Sequence, residues 1–323
     1  MGEPAGIGGE IALKAWVKRG QVPFFAIDSL ERLRDLAARF AIPCPIQAIS
    51  SPAEAGAVFA QALPVLPLPV PLAAPVSPGA PDERNGPAVV GAIDLAVSLA
   101  RAGRIDGFVT NPINKAVLQK SGFAFPGHTE YLGHLAGGKP AIMMLAIAGL
   151  RVVPVTVHLA LRDVPHALTH DAIVTCGRIV AAALETDFGL KTPRIAVAAL
   201  NPHAGENGVM GSEESSIIAP AIAQLAAEGI AVTGPSPADT LFHADARARF
   251  DAALCMYHDQ ALIPLKTLDF AGGVNVTLGL PFVRCSPDHG TAFDIAAKGI
   301  ADPSSLIAAL AMAADMAARR AHV

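Results

Sequence analysis

The chain has 323 residues, of which 52% are hydrophobic and 16% charged, and its formal net charge is −4. This length allows one large α/β unit or two domains with a sizeable buried core. Because the chain is slightly acidic, contains few aromatic residues and has no run of lysine or arginine, it lacks the features of a nucleic-acid-binding protein.

Cysteine usage and hydropathy predict a cytoplasmic protein that does not cross a membrane. The cysteines match no zinc or redox spacing and are expected to be reduced core thiols. The first residues have neither a basic segment nor an apolar core, so no signal peptide is expected. The most apolar run, residues 141–161, is interrupted well before the ~20 residues of a spanning helix. Two buried strands around Ala148 and Gly149 are predicted there instead.

A loop rich in glycine and proline, residues 2–9, precedes the first predicted helix at residues 10–18. Such a loop can bind an anion, but the dinucleotide fingerprint GxGxxG is absent, so plain turn formation is favoured. No strand precedes the loop. The pattern is the one expected of a sequence that begins in the middle of a β-loop-α unit, as a start codon assigned too late or a truncated polypeptide would produce.

Short strands and helices follow. Strands at residues 23–27 and 46–49 flank a helix at 29–40, and another helix is predicted at 53–62. The prolines of residues 65–81 indicate an extended surface excursion, because proline disfavours helices and central strands. A helix at 86–102 and a strand at 107–110 lead to a loop that contains Asn111, Asn114 and Lys115. A turn with a helix cap is slightly favoured there over a binding site.

The second half alternates strands at residues 152–157, 194–200 and 252–256 with helices at 172–185, 213–228, 290–298 and 304–320. This alternation predicts a parallel or mixed sheet covered by helices. Each of the three strands ends in a histidine: His158, His203 and His258. Because carboxyl strand ends share one edge of a sheet, the three imidazoles could bind a catalytic divalent metal, zinc first. Three structural histidines are the equal alternative.

Further polar side chains interrupt apolar segments. Asp239 and Asp259 could orient the imidazoles, or Asp239 could simply begin a helix. Lys266 and Arg284, with an amide between them at Asn275, could grip a phosphate or carboxylate, with internal salt bridges as the alternative. His128 and Thr129 follow a Pro-Gly turn, where an anion site and a helix cap are about equally supported. Residues 288–294 are predicted to begin a helix. Their backbone donors could contact a cofactor, or their polar side chains could simply cap that helix.

Six motifs together resemble one family, the 4-hydroxythreonine-4-phosphate dehydrogenases of vitamin B6 biosynthesis. They are GEPAGIG at residues 2–8, PGHTE at 126–130, NPHAGE at 201–206, Gly-Pro at 234–235 with Asp-Thr at 239–240, YHDQ at 257–260 and DHGTAFD at 288–294. These motifs span essentially the whole chain in the order and spacing of the family. The family normally begins with a β-strand before the first motif, which this sequence lacks.

The resemblance implies an α/β fold like that of isocitrate and isopropylmalate dehydrogenases, with a mixed sheet and two subdomains around a central cleft. Residues 1–323 would form one chain whose subdomains interleave in sequence, and a homodimer would share its active site across the interface. A divalent metal (zinc, magnesium or cobalt) and NAD or NADP are the implied cofactors.

The resemblance also implies roles for individual residues. The implied metal ligands, drawn from both subunits, are His158, His203 and His258. The implied substrate-binding residues are His128, Thr129, Lys266, Asn275 and Arg284. A segment similar to the cofactor-side loop of isopropylmalate dehydrogenases contains His289, Gly290, Thr291 and Asp294. The catalytic base is not identified, and Asp239 and Asp259 are the candidates.

The implied reaction is the metal-assisted oxidation of 4-phosphohydroxy-L-threonine to 2-amino-3-oxo-4-phosphooxybutanoate, which decarboxylates to 3-amino-2-oxopropyl phosphate. Alternatives are a related dehydrogenase of threonate or erythronate 4-phosphate, or of a cyclic dihydrodiol carboxylate. A non-catalytic protein that binds a metabolite or metal is the alternative from another class. Residues 201–214, NPHAGENGVMGSEE, favour the biosynthetic enzyme.

Overall fold

The computed structural model describes residues 1–18 and 22–321, which alternate between helices and short strands. The strands are β1 (Ala26–Asp28), β2 (Ile46–Ala48), β3 (Leu63–Pro67), β4 (Gly107–Val109), β5 (Ile142–Ile147), β6 (Leu150–Pro154), β7 (Arg194–Ala198), β8 (Ala231–Ser236), β9 (Ala252–Cys255), β10 (Val274–Leu278) and β11 (Val283–Pro287). The α-helices are α1 (Gly8–Lys18), α2 (Leu30–Arg39), α3 (Ala55–Phe59), α4 (Gly86–Arg101), α5 (Lys115–Lys120), α6 (His128–Leu135), α7 (Val164–Ala167), α8 (His170–Thr186), α9 (Ala219–Ala227), α10 (Ala238–Leu241), α11 (Ala244–Arg247), α12 (His258–Leu268) and α13 (Ser304–Arg320).

The chain divides into two compact units. Unit 1 comprises Met1–Pro140 and Leu280–Ala317, and unit 2 comprises Ala141–Gly279 and Ala318–Val323. Unit 1 is thus built from both ends of the chain, whereas nearly all of unit 2 is one continuous segment.

Unit 1 contains a parallel three-stranded sheet in the order β1-β3-β2, and β4 pairs in parallel with β11. Helices α1 and α2 place Leu13, Trp16 and Leu33 against Leu63 and Val65 of β3 in one buried cluster. Ser29 caps α2 by accepting a hydrogen bond from the backbone N–H of Arg32. The apolar spacing of α1 and α2 is therefore satisfied by one face of this small sheet.

The surface excursion predicted for residues 65–81 is wrong at its start, because β3 is the central strand of that sheet. Leu63 donates to Pro45 O and Val65 accepts from Ile49 N, so both residues face β2. Pro64 therefore faces the other side, one residue before the ladder with β1 begins at Val65. Pro67 faces β2 beyond its last paired residue, Ala48. Each proline lies where no ladder partner is required, so a central strand tolerates both.

Unit 2 is a mixed sheet with the strand order β10-β5-β6-β9-β7-β8. Strands β5 and β6 are antiparallel around Ala148 and Gly149, as predicted, and β6, β9, β7 and β8 run parallel. Helix α12 packs Ala261 and Leu265 against Val152 and Ala253 of the sheet. The α/β class and the mixed sheet are confirmed, and the three strands that precede the predicted ligand histidines are immediate neighbours.

The helix predicted at residues 290–298 is wrong. Residues 293–299 form consecutive turns, and Ala292 has a left-handed φ of 47°. A non-glycine residue in that region interrupts a right-handed helix at its start. The segment is held by tertiary contacts instead, because Lys14 Nζ donates to the carbonyls of Gly299 and Ala301. Its alanine-rich composition favours a helix, but these contacts outweigh that preference.

All four cysteines are free and buried. Burial raises the pKa of Cys176 to about 12 and also raises the pKa of Cys255. Within the described residues, no single helix has the length and apolarity to cross a membrane. One helix pair, Leu161–Ala167 with His170–Thr186, has sufficient length and composition only when joined across an 88° bend.

Candidate functional site

In unit 2, two side chains tie together the ends of the three neighbouring strands β6, β9 and β7. Thr156 lies just after β6, and its hydroxyl donates a hydrogen bond of 2.6 Å to the carbonyl oxygen of Met256, which lies just after β9. The side chain of Gln260 accepts a hydrogen bond from Met256 N at 2.6 Å. It donates another, at 2.7 Å, to the carbonyl oxygen of Ala199, which lies just after β7. Gln260 is buried. These bonds fix the positions from which the three predicted ligand histidines emerge.

The three strands end before their histidines rather than at them. His158 follows the end of β6 by four residues and has a left-handed φ of 53°. His258 is the first residue of α12, after Tyr257 as N-cap. The rings of His158 and His258 lie 6.1 Å apart between centroids. Two imidazoles on one zinc ion have ring centres roughly 5–6 Å apart, given a Zn–N length of about 2.0–2.1 Å.

The second nitrogen of His258 already has a partner. Nδ1 of His258 lies 2.7 Å from Asp259 Oδ1, so Nε2 is the ring nitrogen that this carboxylate does not engage. A carboxylate behind a metal-binding imidazole fixes its ring and tautomer. Asp259 therefore lies where the orienting role predicted for it requires. Asp239 is exposed in the first turn of α10, as the helix-start alternative predicted.

His203 lies in an unusual backbone turn. Five consecutive residues, 203–207, have left-handed φ values between 43° and 76°. For residues other than glycine this conformation is strained by roughly 1–2 kcal/mol each, and such strain concentrates at functional sites. The turn is anchored by Glu214, whose Oε1 accepts from the backbone N–H of Leu200 and Asn201. The buried Glu214 carboxylate thus sets the start of the loop that carries His203.

The described part of this single chain contains no group of three or more His, Cys, Asp or Glu side chains close enough to hold a metal. Two of the predicted ligands, His158 and His258, are together, and His203 does not join them in one such group. The assignment of all three as ligands stays a prediction.

Unit 1 contains two of the residues predicted to bind the anionic substrate, Arg284 and His128. Arg284, on β11, is only 2% exposed, and its Nη2 donates to Thr110 Oγ1 at 2.5 Å. Burial lowers the pKa of Arg284 to about 10. Burial, followed by the positive charge of Arg284, holds the pKa of His128 well below its usual value. The cap of α6 is Gly127, so the helix-cap interpretation of Thr129 is wrong.

The predicted cofactor segment packs on the first loop of the chain. Thr291 O accepts from Ile7 N at 3.1 Å, and a Cβ on Gly6 would come within 2.9 Å of that same oxygen. Two more hydrogen bonds lie within the loop: the Glu3 side chain accepts from Ala5 N, and Gly6 N donates to Glu3 O. This bonding within the loop agrees with the turn interpretation of residues 2–9 as far as Gly8, where α1 already begins. Gly290 and Asp294 are exposed.

Several predicted site residues contain buried polar atoms without a hydrogen-bond partner among the described residues. These atoms are His128 Nε2, Asn275 Oδ1 and His289 Nε2. Unsatisfied buried polar atoms are uncommon in native proteins and are expected where a ligand completes the bonding. Lys266, on α12 of unit 2, places its Nζ 5.3 Å from the ring centroid of Phe270. In the loop before α5, Asn114 caps that helix by accepting from Val117 N, as the helix-cap interpretation predicted.

Sequence reasoning missed two residues that organise the site, Gln260 and Glu214. Both are buried polar side chains: Gln260 lies two residues after His258 in YHDQ, and Glu214 lies in GSEE, at the end of the loop that contains His203. The signal that was available is a long polar residue on the apolar face of a predicted helix. Such a residue must find a hydrogen-bond partner, and strand ends offer free backbone groups.

Comparisons with known proteins agree over nearly the whole chain. The family model described as pyridoxal phosphate biosynthetic protein PdxA matches residues 22–313. A protein of Methylorubrum populi named 4-hydroxythreonine-4-phosphate dehydrogenase is 54% identical over 330 residues, which cover 100% of this chain and 94% of that protein.

Solved structures give the same result. A 4-hydroxythreonine-4-phosphate dehydrogenase from Klebsiella pneumoniae matches with a TM-score of 0.87 and 38% identity, covering 98% of this chain and 96% of that chain. A terephthalate 1,2-cis-dihydrodioldehydrogenase from Burkholderia xenovorans matches with a TM-score of 0.65 and 26% identity, covering 97% of this chain and 96% of that chain. The fold is therefore the isocitrate/isopropylmalate-dehydrogenase-like one that was predicted, and the chain belongs to the PdxA family of pyridoxal phosphate biosynthetic proteins.

Proposed function

We propose that this protein oxidises 4-phosphohydroxy-L-threonine to 2-amino-3-oxo-4-phosphooxybutanoate with NAD or NADP as the hydride acceptor. The observation that carries the proposal is the full-length match, at 54% identity, to a relative named for that activity. The product is a 3-oxo acid, and its ketone can accept the electron pair released when the carboxylate leaves as carbon dioxide. 3-Amino-2-oxopropyl phosphate is therefore the expected final product.

A divalent metal fits the histidines of unit 2. The close pair of rings at His158 and His258, and the Asp259 carboxylate behind His258, support ligation by His158, His203 and His258. Neutral imidazole nitrogens suit zinc or cobalt better than magnesium, which prefers oxygen ligands. Such an ion would polarise the substrate hydroxyl and lower its pKa. Asp259 is already engaged with His258, which makes Asp239 the first carboxylate to test as the base.

The phosphate and carboxylate of the substrate require positive charge and amide donors. The residues that we assign to substrate binding are His128, Thr129, Lys266, Asn275 and Arg284. The burial of Arg284 supports this assignment, because a guanidinium held rigidly away from water binds an oxyanion more strongly than an exposed one. The unsatisfied atoms of His128 and Asn275 are further support.

The nicotinamide cofactor would meet the segment that contains His289, Gly290, Thr291 and Asp294. His289 Nδ1 lies 3.0 Å from Gly290 O, so Nε2, which is buried without a partner among the described residues, is the nitrogen available to a ligand. The packing of Thr291 on the first loop would hold this segment in place while the cofactor binds. Hydride transfer needs such fixed geometry between donor carbon and nicotinamide.

A homodimer that completes the site is supported by exposed apolar side chains in unit 2. They lie in the segments that follow the three predicted ligands: Leu159, Leu161, Val209, Met210, Ile263, Leu268 and Phe270. Val209 is 80% exposed and Phe270 is 79% exposed. Large exposed apolar residues of this kind are typical of a protein interface when they form one patch. The buried free thiols and the acidic balance favour a cytoplasmic enzyme without nucleic-acid or membrane partners.

The decisive experiment follows reduced nicotinamide by its absorbance with 4-phosphohydroxythreonine, zinc or cobalt, and NAD or NADP. Threonate 4-phosphate and the cis-dihydrodiol of terephthalate are tested in parallel. We expect the threonine derivative to be preferred by at least about tenfold in kcat/KM. Preference for either other substrate would reassign the enzyme within its superfamily, and no turnover with any of them would indicate a binding protein.

A further inference from the structure

The proposed cofactor segment is followed by a stretch of turns that ends near Ala301. The turns run from residue 293 to residue 299, and Gly299 has a left-handed φ of 68°. Such a stretch lacks the continuous hydrogen-bond ladder of a helix or a strand. Contacts with other parts of the chain must therefore fix its conformation.

Two charged side chains of α1, Glu10 and Lys14, bind the far end of this stretch. An ammonium group has three donors, and Lys14 Nζ uses one of them on Glu10 Oε1 at 2.7 Å. The other two donate to Gly299 O at 2.9 Å and to Ala301 O at 2.8 Å. Glu10 Oε1 also accepts from Ala301 N at 2.8 Å. We call Glu10 and Lys14 the α1 clamp, because together they bond both backbone polar groups of Ala301.

The α1 clamp lies mostly inside unit 1. The side chain of Glu10 is 1% exposed and that of Lys14 is 23% exposed. Glu10 Oε2 is buried and has no hydrogen-bond partner among the described residues. A buried ion pair is weak evidence for stability, because desolvation of its charges offsets their attraction. Its three bonds to the backbone at residues 299 and 301 instead indicate a role in placing that backbone.

The near end of the stretch is bound to the same part of unit 1. Thr291 O accepts from Ile7 N at 3.1 Å, and α1 begins at the residue after Ile7. Ile7 also shares a buried apolar cluster with Ala296 and Ala301. Residues 291–301, which include the exposed Asp294, are therefore held at both ends by α1 and the residue before it.

We propose that Glu10 and Lys14 are positioning residues for the nicotinamide cofactor. They act through the backbone of residues 291–301, which they keep ordered before the cofactor binds. A loop that must become ordered on binding loses conformational entropy, so a loop already held in place binds its ligand more tightly. The inference rests on the proposed function, in which this segment meets the cofactor, and it adds the residues that hold the segment.

Lys14→Met tests the α1 clamp, because methionine keeps an unbranched side chain but has none of the three donors. Lys18→Met is the matched control on the same helix, where Nζ lies 3.9 Å from Asp302 Oδ1 in an exposed ion pair. Binding of NADH and NADPH is followed by nucleotide fluorescence, and zinc affinity by calorimetry. We expect Lys14→Met to weaken binding of the preferred nucleotide by at least about tenfold and to leave zinc affinity unchanged. Lys18→Met should change neither quantity.

Amide hydrogen exchange in the protein without nucleotide provides a second readout. We expect Lys14→Met to speed exchange at residues 292–299 by at least about tenfold, without an effect on β5 and β6 of unit 2. Glu10→Gln is the milder variant, because its amide oxygen can still accept from Ala301 N while the carboxylate charge is lost. It should produce a smaller change of the same sign in exchange and in nucleotide affinity, and it decides the test if Lys14→Met does not fold.

Unchanged nucleotide affinity in the folded clamp variants would overturn the inference, even if exchange becomes faster. An equal loss of zinc affinity would also overturn it, because general destabilisation would then explain the effect. Wild-type protein that binds neither nucleotide would contradict the proposed function and the inference together. Wild-type binding that the clamp variants retain in full would overturn the inference alone.

Discussion

His128 is a buried imidazole whose pKa lies well below its usual value, so its ionisation should be coupled to folding. Below pH about 6.5 the unfolded chain binds a proton at this residue that the folded chain does not. Stability should therefore fall as the pH drops from 7.5 to 5.5. We expect His128→Asn to remove up to about 1 kcal/mol of that loss, measured by urea unfolding. The same change at the exposed His243 should leave the pH dependence intact, and an identical slope in both variants would contradict the burial argument.

Asp259 offers a test of the metal site that removes no ligand. We expect Asp259→Ala to weaken zinc binding by about 10–100-fold, because His258 loses the carboxylate that fixes its ring. His170 and Asp171 form a matched pair in which Nδ1 lies 3.1 Å from the carboxylate. Asp171→Ala is therefore the control and should not change zinc affinity in a calorimetric titration. Equal affinity in all three proteins would exclude His258 as an oriented ligand.

Arg284 should be tested by a substitution that preserves its charge. Arg284→Lys keeps a cation near Thr110 but loses the planar fork that grips an oxyanion. We expect KM for the phosphorylated substrate to rise by about 10–100-fold, since a charge-assisted hydrogen bond contributes about 1.5–3 kcal/mol. Arg162→Lys, at an exposed residue, is the control. A KM that stays at the wild-type value would remove Arg284 from the substrate site.

At the scale of elements, Gln260 connects the ends of β7 and β9 and should affect function without touching substrate or metal. Gln260→Met keeps the length of the side chain but leaves Met256 N and Ala199 O without their bonds. We expect a loss of about 1–3 kcal/mol in the free energy of unfolding, together with weaker zinc binding. Gln224→Met removes a surface bond to Glu228 and should change neither quantity. Lost stability with unchanged zinc affinity would reduce Gln260 to a structural residue.

The sequence predicted elements well where local spacing decides them and poorly where distant contacts do. The bounds of α13, Ser304–Arg320, follow directly from its apolar spacing. The central position of β3 could not be predicted, because it depends on which neighbour each proline faces. The turns at residues 293–299 depend on the left-handed Ala292 and on Lys14, far away in sequence. In both segments a tertiary contact overrides the local preference.

At the scale of the whole molecule, the predicted homodimer can be tested through the exposed apolar residues of unit 2. We expect Val209→Asp combined with Ile263→Asp to weaken association by at least tenfold, because a charge would be buried in the interface. Ile300→Asp alters a residue of unit 1 with 64% exposure and should leave association unchanged. Sedimentation velocity over a concentration series measures the effect. An unchanged dimer in the double variant would move the interface elsewhere.

The α/β fold class was predictable, because strands and helices alternate along the sequence. The proximity of the strands that precede the three histidines was predictable because carboxyl strand ends share one edge of a sheet. The adjacency of β6, β9 and β7 confirms that part of the reasoning. The left-handed turn at His203 and the support from Glu214 were not predictable. The turn requires five consecutive residues in left-handed backbone geometry, and the buried Glu214 carboxylate meets the backbone at the start of the loop only in the folded chain.

The division of the chain into units has a consequence for protein synthesis. During translation, the first 140 residues leave the ribosome long before residues 280–317, which unit 1 needs to complete its core. Ile7 and Ile11 cannot be buried until Ala301 and Leu306, which share their apolar cluster, have been synthesised. The sheet of unit 2, by contrast, lies in one continuous segment of the chain. Unit 2 should therefore fold first, while the nascent amino-terminal segment keeps apolar surface exposed until residues 280–317 have emerged.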